Sequence, residues 1–453
     1  MPVLHCCGGQ IMQKLKLFDL AWPIFIETGL FMLLGFADVF ILSRYDDLAA
    51  SSVNTANQAV SIVTIVFTVI SGASAVLISQ YLGAERREDA SRVAALSLVL
   101  NLIFGIIVSI VFAFFSTPLL ALIGAKDDIM KYASGYLSVV GGFIFMQAVM
   151  NAAAVIIRNH GLTRVTMYLS LAMNVANAFL DMVLVLGLFG MPRLGVTGAA
   201  IATCLTRGAG FVILLIFLFT KVEKPSIFRL LAPFPKRDII DILKVGVPSA
   251  LETFLYNLSQ LVITSIVLHC LTENELIAKT YVQNISMFFY IFAVSIGQAS
   301  QILTGHYVGA KKYDEAYRQG FRAYGRSLIF TLALCAVGML LRSRLMGIFT
   351  SDAAIISIGC NILLMNVFLE LGRTTNLVLI ASLRGAGDVI FPTACAVFSM
   401  WVISVLGSYL FAVVFGMGIY GLWIAIAADE CFRGIFMIMR WKSKKWKKSA
   451  IVK

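Results

Sequence analysis

Twelve stretches of this chain are long enough and apolar enough to cross a bilayer, and that feature excludes most folds. A spanning helix needs about 20 mostly apolar residues. The stretches run approximately 17–41, 49–79, 91–115, 131–157, 164–189, 196–220, 242–269, 277–305, 319–341, 354–382, 389–415 and 418–440. Of the 453 residues, 60% are hydrophobic and 13% charged, more apolar surface than a water-soluble core can absorb. In lipid every backbone N–H and C=O must find a partner within the protein, which a helix provides by itself. Several stretches exceed the minimum, so tilt or protruding helix ends are expected. The expected fold class is all-α integral membrane.

The basic residues orient the chain. With the N-terminus inside, 26 of the 36 Lys and Arg residues fall on the cytoplasmic side, seven outside, and three (Arg207, Arg373, Arg433) within spans. Such a bias is the positive-inside signal. It places both termini in the cytoplasm, which requires an even number of spans. The net charge of +12 therefore reflects topology, not nucleic-acid binding. Cys6, Cys7, Cys204, Cys270, Cys335, Cys360, Cys395 and Cys431 include no C-x-x-C pair and read as small hydrophobes. Met1 to Gln10 lack the layout of a signal peptide. The tail from Trp441 to Lys448 reads as a stop-transfer anchor, or as a segment lying on anionic head groups.

The halves repeat each other. Gln80-Tyr-Leu-Gly-Ala84 matches His306-Tyr-Val-Gly-Ala310 at an offset of 226, and Arg158 and Gly161 match Arg384 and Gly387 at the same offset. Pro23 and Glu27 match Pro248 and Glu252 at 225, and Gly195 and Gly198 match Gly418 and Gly421 at 223. Six helices return the chain to its starting side, so the repeats are parallel, and transporters of this plan bind substrate between lobes that rock. The expected organisation is an N-lobe over 1–220, a cytoplasmic connection over 221–241, a C-lobe over 242–440 and a basic tail over 441–453. Pro23 and Pro248 each remove a backbone bond, so the first helix of each lobe can bend. The glycines ending Leu-Gly-Ala and Val-Gly-Ala are expected to make the tight turns.

Ionisable groups at membrane depth are functional candidates by default. Asp38 and Asp181 fall at similar depth, about 17 to 20 residues into their spans at ~1.5 Å each. Asn174, Asn177 and Asp181, at i, i+3 and i+7, share one helix face. Such a stripe offers oxygen ligands to a cation or a hydrogen-bonded proton site. Neither aspartate has an acidic counterpart in the second half, where Thr264 and Gly407 stand. Glu27 and Glu252 are repeat partners with an architectural or cavity role. Glu370 and Arg373, at i and i+3, neutralise each other, or Arg373 pairs Glu252 or lines the C-lobe cavity. Asp429, Glu430 and Arg433 are expected to pair locally. Catalytic signatures are missing: there is no P-loop and no H-E-x-x-H, and His5, His160, His269 and His306 are dispersed. The expectation is therefore a transporter, not an enzyme.

Together these features resemble the multidrug and toxic compound extrusion family. The resemblance rests on Pro23, Asp38 and Leu42-Ser43, Gln80 to Ala84, Asn174 to Asp181 with Leu186-Gly187, Gly195 to Thr203, and Ala381 to Asp388, and spans Leu17 to about Trp441. It implies two six-helix lobes exporting organic cations in exchange for protons or sodium, without an organic cofactor. In DinF-like members it implies an N-lobe ion site, mapping onto Asp38, Asn177, Asp181 and Thr203. Asn174 joins by its helix position, and sodium would sit at Asp38, Asn177 and Asp181. Glu27, Glu252, Glu370 and Arg373 are the expected cavity residues. The NorM-like branch carries an acid in mid span 10, where this chain has Arg373, a departure that favours a DinF-like or neighbouring clade. The expected setting is the inner membrane, as a monomer among lipids and small organic cations. The rivals are a flippase for lipid-linked sugars, which needs a strongly cationic cavity, and a membrane-embedded enzyme or scaffold.

Overall fold

The computed structural model describes residues 15–122 and 124–452, without the side chains of Phe36, Ala37 and Val39. Cys6, Cys7 and His5 lie outside the described residues. Within them the regular structure is entirely helical. The helices are α1 (Leu17–Ser43), α2 (Asp47–Gly83), α3 (Arg87–Leu122), α4 (Asp127–Gly142), α5 (Ile144–Asn159), α6 (Thr163–Leu186) and α7 (Val196–Val222). They continue as α8 (Lys236–Cys270), α9 (Glu273–Gly309), α10 (Tyr313–Leu340), the short α11 (Arg342–Gly347), α12 (Ala353–Gly385), α13 (Ile390–Val414) and α14 (Gly418–Lys442).

Ten helices meet the length and apolarity of a span, and α4 with α5 makes an eleventh, bent by 47°. The helix α14 falls short of the expected twelfth span by that measure. It carries Asp429, Glu430 and Arg433, so its apolarity alone does not mark it. The 37-residue α2 and α9 extend to about 55 Å at ~1.5 Å per residue, well beyond a hydrocarbon layer of about 30 Å. Only 13% of the residues in the apolar window of α1 are buried, against 61% in that of α9. The first leaves most of its apolar window exposed; the second is the most buried helix of its unit.

The chain divides into two compact units, one built on Trp22–Gly246 and one from Val247 onward, with Lys16–Ala21 grouped in the second. The core of the first gathers Leu42, Val53, Phe67, Phe112, Tyr136, Leu137 and Ile144. That of the second gathers Ile263, Val282, Phe289, Met346, Ile362, Leu422 and Trp423.

Four turns on equivalent positions show how the repeat is built. The N–H of Arg86 donates to the carbonyl of Tyr81 and that of Glu85 to Leu82; Lys312 and Lys311 do the same to Tyr307 and Val308. Leu162 and Gly161 donate to Ile157 and Arg158, as Asp388 and Gly387 donate to Leu383 and Arg384. Each pair satisfies carbonyls orphaned at a helix end, as a Schellman cap does. The left-handed residue is Glu85 (φ 61°) or Lys311 (φ 59°) in one pair of turns and Gly161 (φ 82°) or Gly387 (φ 87°) in the other. The expectation that Gly83 and Gly309 make the first pair of turns is thus corrected: both end their helices, and the turn falls two residues later.

Pro23 and Pro248 lie inside uninterrupted helices. Just beyond each, a threonine hydroxyl donates back to a carbonyl four residues earlier: Thr28 to Ile24 at 2.8 Å and Thr253 to Ser249 at 2.9 Å. The recorded break is at Phe115 (φ −120°, ψ 24°), three residues before Pro118, where the ring excludes regular helix.

The tail packs on its own unit. The buried rings of Trp441 and Trp446 stack at 4.5 Å, and their indole N–H groups donate to Tyr317 O and Trp441 O at 3.3 and 3.1 Å. A Cβ at Gly320 would lie 2.5 Å from the Trp441 ring, so glycine makes the room. Lys444 pairs with Asp314 at 2.9 Å.

Candidate functional site

Asp38 lies five residues before the end of α1, and Asp181 five before the end of α6. Thr203 is seven residues into α7, and Tyr136 nine into α4. Because alternate spans run in opposite directions, all four fall about 7 to 14 Å from the same ends of their helices at ~1.5 Å per residue. A close helix approach helps: a Cβ at Gly198 would sit 2.5 Å from the Leu184 carbonyl. Only glycine lets α7 come that near α6.

The carboxyl groups of Asp38 and Asp181 hydrogen-bond to each other. One oxygen of each is buried without a partner, as is the amide nitrogen of Asn177. Asn177 and Asp181 are 4% and 3% exposed, so these atoms are not satisfied by bulk water. Unpaired buried polar atoms are costly, and here they converge. The hydroxyls of Tyr136 and Thr203 bond to each other beside the pair. Asn174 is half-buried on α6 and makes no side-chain hydrogen bond among the described residues. The site can hold a proton between two carboxyls, or a cation among carboxylate, amide and hydroxyl oxygens.

Arg207, one helical turn beyond Thr203 on the same face of α7, belongs to this cluster too. Its charge acts on Asp38, Tyr136 and Cys204, yet no ion pair joins it to either aspartate among the described residues, and its Nη1 is buried without a partner. The signal for it lay in the i, i+4 spacing from Thr203.

The second unit treats its charges otherwise. Glu370, fully buried, accepts from Arg373 at 2.7 Å and from Asn366 at 3.4 Å. Trp423 in turn donates to Asn366 at 3.3 Å. Arg433 pairs with Asp429 and Glu430 at 2.9 and 3.0 Å. Glu430 accepts from Asn376 at 3.0 Å and lies 3.8 Å from Arg373, whose guanidinium stacks on Tyr290. The local pairing expected of Asp429, Glu430 and Arg433 is therefore only half the account, since Glu430 also ties α14 to α12. Gly372 permits this, because a Cβ there would lie 2.6 Å from the Cys431 nitrogen.

Arg373 does not pair with Glu252. That carboxylate takes Arg384 at 2.8 Å and Thr393 at 2.9 Å. Glu27, its repeat partner, takes Thr166 at 3.0 Å and faces Arg158 at 3.8 Å. The two glutamates thus hold similar Arg–Thr pairs, four residues after the proline of each repeat's first helix, about 16 Å along α1 from Asp38 in the case of Glu27. At the turn before α6 and the segment after α7, Ser91 donates to Glu223 at 2.7 Å and His160 lies 3.7 Å away. Burial pushes the Glu223 carboxyl above its ordinary range.

Comparisons with known proteins agree with this architecture. The MatE family model matches residues 23–183 and again 248–410, once in each half. The chain is 36% identical over 434 residues to the uncharacterized transporter YisQ of Bacillus subtilis, covering 96% of this chain and 95% of that one. It is 29% identical over 441 residues to a probable multidrug resistance protein NorM of Thermotoga maritima, covering 96% and 94%. A crystal structure of MATE in the bent conformation superposes with a TM-score of 0.89 at 22% identity, covering 98% and 99%. An outward-facing multidrug resistance MATE transporter gives 0.87 at 22%, covering 97% and 99%. The repeated match over both halves and the long YisQ alignment place the chain in the MatE family of multidrug and toxic compound extrusion transporters.

Proposed function

We propose that this chain is an antiporter that exports organic cations across the cytoplasmic membrane in exchange for protons or sodium. The observation that carries the reading is the hydrogen bond joining the buried carboxyls of Asp38 and Asp181, with one oxygen of each left unpartnered. Two adjacent carboxyls resist simultaneous ionisation, and the pair titrates as one unit. A proton shared between them, or a sodium ion held with Asn177 and Thr203, relieves the repulsion; its departure restores it. Each cycle therefore adds and removes buried charge in one six-helix bundle, a local change able to bias two arrangements of that bundle. Tyr168, Leu171, Val175 and Phe179 form an exposed apolar stripe on α6, the helix that carries Asp181. Aromatic faces there suit flat organic cations. The charge bias across the spans supports cytoplasmic termini, and a site built within one unit supports a monomer.

The test is ethidium efflux from proteoliposomes with pH and sodium gradients imposed separately. One gradient should drive efflux, and Asp38→Asn, which fixes a neutral side chain, should reduce it to background while inserting normally. Undiminished efflux by that variant would refute the assignment, and inactivity of the wild type under both gradients would favour a lipid-linked substrate.

A further inference from the structure

One polar face of α6 runs well past the site described above. Thr166, Ser170, Asn174, Asn177 and Asp181 follow one another at intervals of three or four residues. At about 100° per residue they fall within about 80° of one another, along about 22 Å of helix. Thr166, Asn177 and Asp181 are buried, and Ser170 and Asn174 half-buried. At the end of α6 that the charge bias assigns to the cytoplasm, this stripe meets Glu27 of α1. Thr166 donates to one carboxylate oxygen at 3.0 Å, and Ser170 faces the other at 3.5 Å. Hydroxyls elsewhere in these helices turn back onto a carbonyl four residues earlier, as those of Thr64, Thr68 and Ser74 do. That of Ser170 reaches out to Glu27 instead. Arg158 is the charged group that faces this carboxylate from α5, at 3.8 Å, beyond hydrogen-bond range.

Glu27 and Ser170 each stand 11 residues before the aspartate of their own helix, so the two helices carry matched polar stations at both ends of the same three turns. The second unit repeats the anchor without the stripe. Glu252 holds Arg384 at 2.8 Å and Thr393 at 2.9 Å. Counted from Thr393, however, the positions matching Ser170 and Asn174 are Val397 and Trp401. The scaffold therefore uses the glutamate, arginine and threonine in both units, and the hydroxyl and amide beyond them in the first alone. We infer that Glu27, with Thr166 and Ser170, is a relay station through which the coupling ion passes between the Asp38–Asp181 site and the cytoplasm. The inference rests on the antiport reading and deepens it. An ion leaving a buried site needs polar groups along its way, because apolar helix surface cannot hold charge. Asn174 and Ser170 supply them one helical turn apart, and the carboxylate supplies the negative charge at the end. A sodium ion would be shared by that carboxylate and the two hydroxyls; a proton would be taken up by the carboxylate and passed to water. The loose approach of Arg158 leaves the carboxylate free to exchange the guanidinium for the ion and take it back afterwards.

The experiment pairs turnover with binding. Ethidium efflux from proteoliposomes, under the gradient that drives the wild type, gives turnover. Ethidium fluorescence titration of the purified protein in detergent, with sodium and acid as competitors, reports the ion site itself. Glu27→Gln and Ser170→Ala should each lower turnover about tenfold, with ethidium affinity and ion competition within about twofold of wild type. Ser170→Thr, which keeps a hydroxyl, should retain wild-type turnover. Undiminished turnover in either Glu27→Gln or Ser170→Ala overturns the relay and leaves antiport intact. Weakened ion competition in Ser170→Ala also overturns it, because the serine would then belong to the binding site. Absence of wild-type exchange under both gradients overturns the antiport reading, and this inference with it. Should Glu27→Gln fail to insert, Ser170→Ala and Ser170→Thr decide the matter.

Discussion

The two units share a scaffold down to the hydrogen bonds of their turns, yet they handle buried charge in opposite ways. In the second, Glu370, Arg373, Asp429, Glu430 and Arg433 form a network in which each arginine touches a carboxylate at 3.0 Å or less. In the first, Asp38 and Asp181 face each other, and Arg207 stands off without closing a pair. A closed network holds its charges in one arrangement and joins helices; here it ties α12 to α14. An open one has a vacancy in its charge balance, which a mobile cation can fill. The difference explains how a repeat can supply a frame on one side and a coupling device on the other.

The largest expected difference tests that contrast directly. Asp181→Asn should abolish ion-driven ethidium efflux with little loss of folding. Glu370→Gln should keep ion dependence but lower stability by about 2–4 kcal/mol, because Arg373 loses its 2.7 Å partner in a buried place. Efflux assays paired with thermal unfolding in detergent read both effects, and a Glu370→Gln protein that is stable but uncoupled would reverse the assignment of roles. Replacing Glu370 and Arg373 together by methionine should recover most of the lost stability, since an apolar pair of similar volume avoids the unpaired charge.

Packing should give the next effect. Gly372→Ala pushes a methyl group against the α14 backbone at 2.6 Å and should cost about 1–3 kcal/mol. Gly72→Ala, with open space around its Cβ, should be neutral or gain up to about 1 kcal/mol from helix propensity. Unfolding midpoints of the two variants decide. The repeat-related glutamates come next. Glu252→Gln breaks a 2.8 Å pair with Arg384, whereas Glu27→Gln weakens a 3.8 Å approach to Arg158. Loss should be about 1 kcal/mol larger for Glu252, and equal losses would show that the threonine bonds dominate.

The smallest effect concerns Glu223, whose carboxyl is pushed above its ordinary range by burial. A raised acid pKa means the folded state holds its proton more tightly than the unfolded one. The penalty is absent below the ordinary carboxylate range, grows as pH rises towards the folded pKa, and is constant above it. Glu223→Gln keeps an acceptor for Ser91 and should raise the unfolding midpoint at pH 8, by on the order of 1 °C, and leave it unchanged at pH 4. A larger gain at pH 4 would contradict this account.

Much of this was legible in the residues themselves. Span count and repeat follow from apolar length and matched motifs, because a bilayer leaves the backbone few alternatives. Asp38, Asn177 and Asp181 stood out because charge and amides are costly at membrane depth. Other features were not legible. That Glu430 reaches across to α12 depends on Gly372 letting two helices touch, and a helix–helix distance is not written in local spacing. Glu252 chose Arg384 over Arg373, although both were available by sequence, because a turn 132 residues away places that guanidinium beside it. The tail read as a membrane anchor because two tryptophans among lysines suit an interface; its docking depended on the groove at Gly320.

The sequence by itself thus determined that this chain is a set of long apolar helices suited to a membrane, that the halves repeat, and which side chains bear buried charge. Those properties are set by transfer free energy and hydrogen bonding within each segment. The tertiary structure alone decided which charges meet: Asp38 with Asp181, Glu370 with Arg373, and Arg207 with neither aspartate among the described residues. Pairing depends on how closely whole helices approach and at what rotation, and those are fixed by packing across the entire unit.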